Sequence, residues 1–375
     1  ADLASHSDKR GGIAIDTDEA EPLPAWSTQT IALQLVNPLY NTVQPDELDQ
    51  MLAPPTDVQQ DDIMADFALG LYFETDTTST QPTLKLRDDI RVLMPDEGQR
   101  GLWTDVKLAL ANSVARRIQN RQYRQNLIRY PDRMRIVAEG DSWFQYPFLL
   151  RDIVDYLSGV WSVYSVAAAG ATLDDYLRNS EFLEAIAQVK PTYFLLSGGG
   201  NNLLGDGFAD LISAQPDPTK TGPERYLTVA FANTLTAVGD RYRRILRLVH
   251  LGYPQVRVLV HGYDYVIPSG SEKLPGSTSW MGEVLNSRGI HDQQERELIG
   301  RYLIDSFNEQ LKTIAAQYSN VTYLDLRGAV RRTGRLADYW YDEIHPNDKG
   351  FLSISSRFVA EINKSKTGPT TTVTA

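Results

Sequence analysis

The stretch Arg135-Ile-Val-Ala-Glu-Gly-Asp-Ser-Trp-Phe-Gln-Tyr-Pro-Phe148 opens as a β-strand and closes as the approach to a helix. Ile136, Val137 and Ala138 are small or branched apolar residues, suited to a strand buried on both faces. Gly140 breaks the strand, and an acid and a hydroxyl follow, Asp141 and Ser142. After Pro147 an apolar helical pattern starts with Phe148, Leu149, Ile153, Val154 and Leu157. A serine between a buried strand and a helix lies at the carboxyl edge of a sheet, where open α/β proteins place their ligands. One reading makes Ser142 a nucleophile. On this stretch alone, Asp141-Ser142 reads equally well as a cap for the next helix, a common use of those two residues.

Outward from this stretch the pattern is regular. Strands are expected at Arg135–Glu139, Trp161–Ala167, Thr192–Ser197, Val256–His261 and Val321–Asp325. Helices are expected between and after them, at 148–158, about 173–189, 223–249, 292–318 and 348–362. In the fourth, Ile299, Leu303, Phe307, Leu311 and Ile314 form the stripe to be buried. Strands alternating with helices imply a parallel sheet covered on both faces. The expected strand order is 2-1-3-4-5, with the switch point between the first and third strands. That order brings the loop carrying Ser142 beside the loop after strand three, so a functional pair is expected in those two loops.

The loop after strand three is Ser197-Gly-Gly-Gly-Asn-Asn-Leu-Leu-Gly205. Its glycines let the backbone approach a ligand and adopt positive φ, and Asn201 carries an amide donor. It matches neither phosphate-binding fingerprint, since no Lys-Ser/Thr follows it and no spaced glycine triple opens a helix. An oxyanion site fits better, because amide donors stabilise the charge that develops on an attacked carbonyl. Gly170, in the loop Ala167-Ala-Ala-Gly-Ala-Thr172 after strand two, offers a second donor through its N–H or serves a plain tight turn. Near the carboxyl end, Tyr341-Asp-Glu-Ile-His-Pro-Asn-Asp-Lys-Gly350 sets Asp342 three residues before His345. That spacing lets the carboxylate reach the imidazole and fix its tautomer. His345 can then take the proton that a serine must lose to attack at neutral pH. The bland alternative is a surface Asp–His pair before a helix. His261, on the fourth strand, reads as a packed residue. No cluster has metal-ligand spacing, and no metal or cofactor is expected.

Gly140-Asp-Ser-Trp143, Gly170, Gly199-Gly-Asn-Asn202 and Asp342-Glu-Ile-His345 stand in the order of the four blocks of the SGNH (GDSL-like) hydrolase family, which residues of about 134 to 364 resemble. The resemblance implies a flavodoxin-like three-layer α/β/α sandwich and ester hydrolysis through an acyl-serine, without cofactor. It implies that Ser142 is the nucleophile and gives an oxyanion donor through its N–H. Gly170 (N–H) and Asn201 (side chain) are the other implied donors, His345 the base and Asp342 its orienter. Two positions depart from the family pattern. Trp143 stands where Leu is usual, which bears on packing or the acyl pocket. Asn202 stands where Asp is usual, which alters the hydrogen bonds made there.

Aromatic residues cluster near these blocks. Trp143, Phe144 and Tyr146 follow the nucleophile, Tyr263 and Tyr265 leave the fourth strand at the same sheet edge, and Trp340 precedes the acid–base pair. All six are candidates to hold a sugar or an acyl chain, although about half of such aromatics are ordinarily core. The long connection from Gly262 to about Gln293 has the length of a lid or binding loop.

The chain has 375 residues, 42% hydrophobic and 23% charged, which is ordinary for a soluble globular protein. No apolar run approaches the ~20 residues of a membrane span, and the given amino end does not read as a signal peptide. There is no Cys, which excludes disulfides and a thiol nucleophile; the compartment stays open. Residues 1–100 carry 19 acids against 6 Lys or Arg, a net of −13, while the whole chain is −11, leaving residues 101–375 near neutral at +2. The expected organisation is an acidic accessory region (1–130), a hydrolase domain (131–364) and a Thr-rich tail (365–375). The acidic region argues against nucleic-acid binding. Within it, Ile31–Val36 reads as a strand, Pro45–Leu52 as a short helix, Thr75–Thr83 as a loop and 102–124 as an amphipathic helix with a basic end.

The expected activity is hydrolysis of a small, glycan-linked or lipid ester. The rival reading is an assembly or binding protein on the same fold, its activity minor or lost, forming homo-oligomers through the motif-free first hundred residues.

Overall fold

A computed structural model describes residues 100–146, 150–205, 207–268 and 281–364, and before them the backbone of four short strands. The chain divides into two units, residues 1–131 with 146–149, and residues 132–145 with 150–375.

In the first unit, β1 (Thr42–Val43) pairs in parallel with β4 (Arg91–Val92). β2 (Phe73–Asp76) pairs antiparallel with β3 (Thr83–Leu86). Thr75, Asp76 and Thr83 thus belong to strands rather than to the expected loop, as the β-branched threonine side chain favours. The expected elements at 31–36 and 45–52 lie outside the described residues. A 30-residue helix, α1 (Arg100–Arg129), extends beyond the expected 102–124 at both ends and carries Arg129 in its last turn.

The second unit is an α/β fold of flavodoxin-like topology. Its strands are β5 (Arg135–Glu139), β6 (Ser162–Ser165), β7 (Tyr193–Leu196), β8 (Arg257–His261) and β9 (Val321–Leu324). They form one parallel sheet in the order β6-β5-β7-β8-β9, which is the expected 2-1-3-4-5. β5 lies inside the sheet, and Ile136, Val137 and Ala138 are fully buried. The helices are α2 (Ile153–Ser158), α3 (Leu173–Asn179), α4 (Glu181–Val189), α5 (Gly200–Leu204), α6 (Phe208–Leu211), α7 (Val229–Gly252), α8 (Met281–Ser287), α9 (Gln293–Ala315) and α10 (Asp348–Lys364). Capping side chains set where several begin. Asp152 and Thr172 each form a capping box at α2 and α3, and Thr228 and Asp292 cap α7 and α9. The stripe Ile299, Leu303, Phe307, Leu311 and Ile314 is buried as expected.

Four boundaries differ from expectation for local reasons. The helix expected at 148–158 begins at Ile153, because Asp152 is extended and caps it. The single helix at 173–189 is two, because Ser180 turns to φ 56 and ends α3 with its N–H on Tyr176. α7 starts six residues later than expected. Gly222–Tyr226 is instead a 3₁₀ turn with Pro223 at its start, and Leu227 is drawn into a bridge with Ile212. The connection after β8 contains α8, whose Met281 and Leu285 are fully buried; residues 269–280, between β8 and α8, where the lid or binding loop was expected, lie outside the described residues.

Candidate active site

The loops after β5, β6 and β7 are tied to one another at the carboxyl edge of the sheet. Ala168 donates its N–H to the Gly140 carbonyl at 2.9 Å, which holds the β6 loop against the turn of Ser142. Asn201 donates its side-chain N–H to the Ala171 carbonyl at 2.8 Å, which holds the first turn of α5 against the loop of Gly170. Gly199, at φ +94, makes the abrupt entry into α5 that sets Asn201 in place. Its neighbour Asn202 accepts from the Leu173 N–H at 3.4 Å, so the position where Asp is usual meets the start of α3 through a neutral oxygen.

The last piece comes from 203 residues away. His345 Nε2 lies 2.7 Å from Ser142 Oγ. On the other side of the ring, Nδ1 lies 2.7 Å from Asp342 Oδ2. The second carboxylate oxygen, Oδ1, accepts the N–H of Ile344 at 2.9 Å and of His345 at 2.7 Å. A tight hairpin places this pair: Trp340 bridges Pro346, and Tyr341 donates to the His345 carbonyl at 2.9 Å. With the ring proton on Nδ1, that nitrogen donates to the carboxylate and Nε2 is left as an acceptor for the Ser142 hydroxyl. Asp342 and His345 are buried, whereas Ser142 and Asn201 are half-buried and Gly170 is exposed. Among the described residues no protein acceptor meets the N–H of Ser142 or of Gly170. Nor, among them, is any group of three or more His, Asp or Glu placed to hold a metal ion.

A family model for GDSL-like lipase/acylhydrolases matches residues 111–351. The chain belongs to that family. It is a serine ester hydrolase of the SGNH type. Similar solved structures include a mutant of Axe2, an acetyl-xylooligosaccharide esterase from Geobacillus stearothermophilus. That one is 18% identical with a TM-score of 0.39, over 61% of this chain and 94% of that one. Another is LAE5, an α/β hydrolase from the metagenome of Lake Arreo, Spain, 16% identical with a TM-score of 0.37 over 61% of this chain and 95% of that one. No curated protein gives a significant match. Likeness at these levels carries no weight for the substrate.

The aromatic candidates separate into two groups. Trp143, Phe144, Tyr263 and Trp340 are each at most 5% exposed, so in this structure they pack rather than line an open surface. Trp143 donates its indole N–H to the Ile344 carbonyl at 3.2 Å and meets Tyr263 and Phe351 edge-on. The large ring in place of the family's usual Leu thus braces the hairpin of Asp342 and His345. Tyr265 is half-buried and donates to Asp305 at 2.9 Å. Tyr146, half-buried, belongs to the first unit.

Sequence reasoning missed several supports. Asp141 is buried, and its carboxylate accepts the Trp143 N–H at 3.1 Å, the Ser197 hydroxyl at 3.0 Å and the Tyr263 hydroxyl. It is a turn-former held from three sides, not a helix cap. Glu343, buried between the candidate acid and base, accepts the N–H of Met281 at 2.6 Å and of Gly282 at 3.0 Å, which fixes the start of α8 to the hairpin. Asp264 accepts N–H groups from Gly328 at 2.6 Å and Val330 at 2.7 Å, and burial raises its pKa. The only advance signal was position: each acid sits next to a residue already singled out.

His261 is fully buried among Trp143, Phe144, Tyr263 and Phe358. Burial lowers its pKa from 6.5 to about 4. Between those values the unfolded chain takes up a proton that the folded chain refuses. Stability is therefore undiminished above 6.5 and falls as pH drops toward 4, by roughly 3 kcal/mol from this one group. The urea midpoint is expected to fall between pH 7 and 4.5, and less steeply in His261→Phe. Parallel slopes in the two proteins would show that the ring is charged in the native state.

Proposed function

We propose that this chain hydrolyses carboxylic esters of small acyl groups through an acyl intermediate on Ser142. The observation that carries the reading is the continuous hydrogen-bonded series from Ser142 Oγ to His345 Nε2 and from Nδ1 to Asp342, each link 2.7 Å. His345 takes the hydroxyl proton as Oγ attacks the carbonyl carbon. The N–H groups of Ser142 and Gly170 and the amide of Asn201 receive the negative charge on the carbonyl oxygen. Collapse expels the alcohol, which takes the proton from His345 Nε2. Water, deprotonated by the same nitrogen, then attacks the acyl carbon and releases the acid and Ser142. Trp143, Phe144 and Trp340 are buried, so none of the three offers an exposed apolar surface to a long acyl chain, which supports a small acyl group.

A series of p-nitrophenyl esters of increasing chain length, run beside acetylated sugars and a lipid ester, tests this. Activity is expected to be greatest on acetyl and to fall with length; a maximum on long chains would overturn the small-acyl reading. Asn201→Ala is expected to lower kcat by about 10²-fold with KM little changed, as loss of one oxyanion donor does. An unchanged kcat would take Asn201 out of the site. A fluorophosphonate probe separates this reading from the rival one: labelling at Ser142 marks an enzyme, and no labelling of folded protein marks an assembly or binding protein.

A further inference from the structure

Tyr263 leaves β8 as though to line the site, yet it is 5% exposed and its hydroxyl points inward. That hydroxyl has two partners on two different catalytic loops. It donates to Asp141 Oδ2, in the turn that carries Ser142. It accepts the Gly200 N–H at 3.0 Å, at the residue before Asn201. The contact is close: a Cβ on Gly200 would stand 3.0 Å from the Tyr263 ring, so a larger residue there would push the ring back by a few tenths of an ångström. The ring is held from the other side by Phe307, stacked at 5.6 Å and 24°, and by Trp143 edge-on at 5.0 Å. Asn308 donates to the Tyr263 carbonyl at 3.1 Å, which fixes the backbone as well. The phenol has one hydrogen and one accepting direction in use, so donation to a carboxylate and acceptance from an amide polarise each other in the same sense.

We infer that Tyr263 is a positioning residue for the hydrolysis proposed above, setting the distance between the Ser142 turn and the Asn201 amide so that nucleophile and oxyanion donor face one carbonyl. The inference rests on that reading of the site. It assigns Tyr263 no contact with substrate. Ser197 provides the contrast: its hydroxyl donates to the same Asp141 carboxylate at 3.0 Å and, among the described residues, makes no hydrogen bond to α5. Removing the Ser197 hydroxyl weakens the support of Asp141 alone; removing the Tyr263 hydroxyl also takes the acceptor from the Gly200 N–H and leaves the Ala171 carbonyl as the side-chain anchor of Asn201.

The test compares wild type, Tyr263→Phe and Ser197→Ala in the full chain. The readouts are kcat and KM on p-nitrophenyl acetate and the rate of phosphonylation by a fluorophosphonate, whose tetrahedral product needs the oxyanion donors. Tyr263→Phe is expected to lower kcat and the phosphonylation rate together by about 10²-fold, the scale of a misplaced reacting group. KM is expected to stay within about 2-fold, because substrate binding is not what is lost. Ser197→Ala is expected to lose no more than about 10-fold on either rate. p-Aminophenylalanine at position 263 restores a donor to Asp141 but offers Gly200 a poor acceptor. It is expected to fall between tyrosine and phenylalanine, and it carries the test if Tyr263→Phe does not fold. Equal losses in Tyr263→Phe and Ser197→Ala would overturn the bridging role, as would a change in KM alone. A wild-type protein that does not label at Ser142 sinks the serine mechanism and this inference with it. A wild type that labels, beside a Tyr263→Phe that labels as fast, sinks this inference only.

Discussion

Ser142→Ala is expected to lower kcat for any ester substrate by about 10³-fold or more, the loss seen when the nucleophile of a serine triad is removed. The side-chain oxygen lies 2.7 Å from His345 Nε2. An alanine there leaves nothing to accept the acyl group, while the backbone donors and the imidazole stay. The residual rate is then that of water activated by His345 within an intact set of N–H groups. The fold should be unaffected. The turn is held by the Asp141 carbonyl, which accepts the N–H of Phe144 and of Gln145 at 3.0 Å each, and by the Asp141 carboxylate. Turnover measured beside circular dichroism and intact-protein mass checks both halves. Native spectra, no acyl-enzyme and a collapsed kcat are the expected result; wild-type-like turnover would falsify the assignment of Ser142.

The topology was legible because strong local signals agreed with one another. Ile136–Ala138 reads as a doubly buried strand, each later strand is a short apolar run, and the stripe of α9 is regular over four turns, so the strand order followed from fold rules alone. What escaped the sequence was decided by single residues acting through tertiary contacts. Ser180 in the left-handed region cuts one helix into two, and nothing in Asn179-Ser180-Glu181 separates a cap-and-restart from a continuous helix. Within the site, the polar groups at the ends of strands were legible, since few residue types do that chemistry. The direction of the aromatic side chains was not. Tyr263 and Trp143 lie where a binding residue would lie, and only packing turns them inward. Asp141, Glu343 and Asp264 show the same limit. A buried carboxylate that accepts backbone N–H groups is indistinguishable in one dimension from an exposed acid, because its partners lie as many as 122 residues away in the chain.

Asp342→Asn is expected to cost about 10⁴-fold in kcat although it removes no reacting atom and scarcely changes the size of the side chain. The carboxylate has two jobs in this structure. Oδ1 accepts two backbone N–H groups, from Ile344 at 2.9 Å and His345 at 2.7 Å, and Oδ2 faces His345 Nδ1 at 2.7 Å. An asparagine has one oxygen for both jobs. If that oxygen stays on the two backbone donors, the amide N–H₂ points at Nδ1, which must then be the unprotonated nitrogen. The ring proton moves to Nε2, and Nε2–H cannot accept the proton of Ser142. If the oxygen turns to Nδ1 instead, the N–H₂ faces two buried N–H groups and both hydrogen bonds are lost, at about 1–3 kcal/mol for each unmet donor. The first arrangement is therefore favoured: the hairpin keeps its shape and the imidazole is held in the wrong tautomer. ¹⁵N spectra of the ring should report the proton on Nδ1 in wild type and on Nε2 in the variant, with thermal stability little changed and KM retained. A variant within about tenfold of wild-type kcat would mean that something other than Asp342 holds the ring. A collapsed kcat with the proton still on Nδ1 would mean that the charge of the carboxylate, rather than the tautomer it selects, is what the reaction needs.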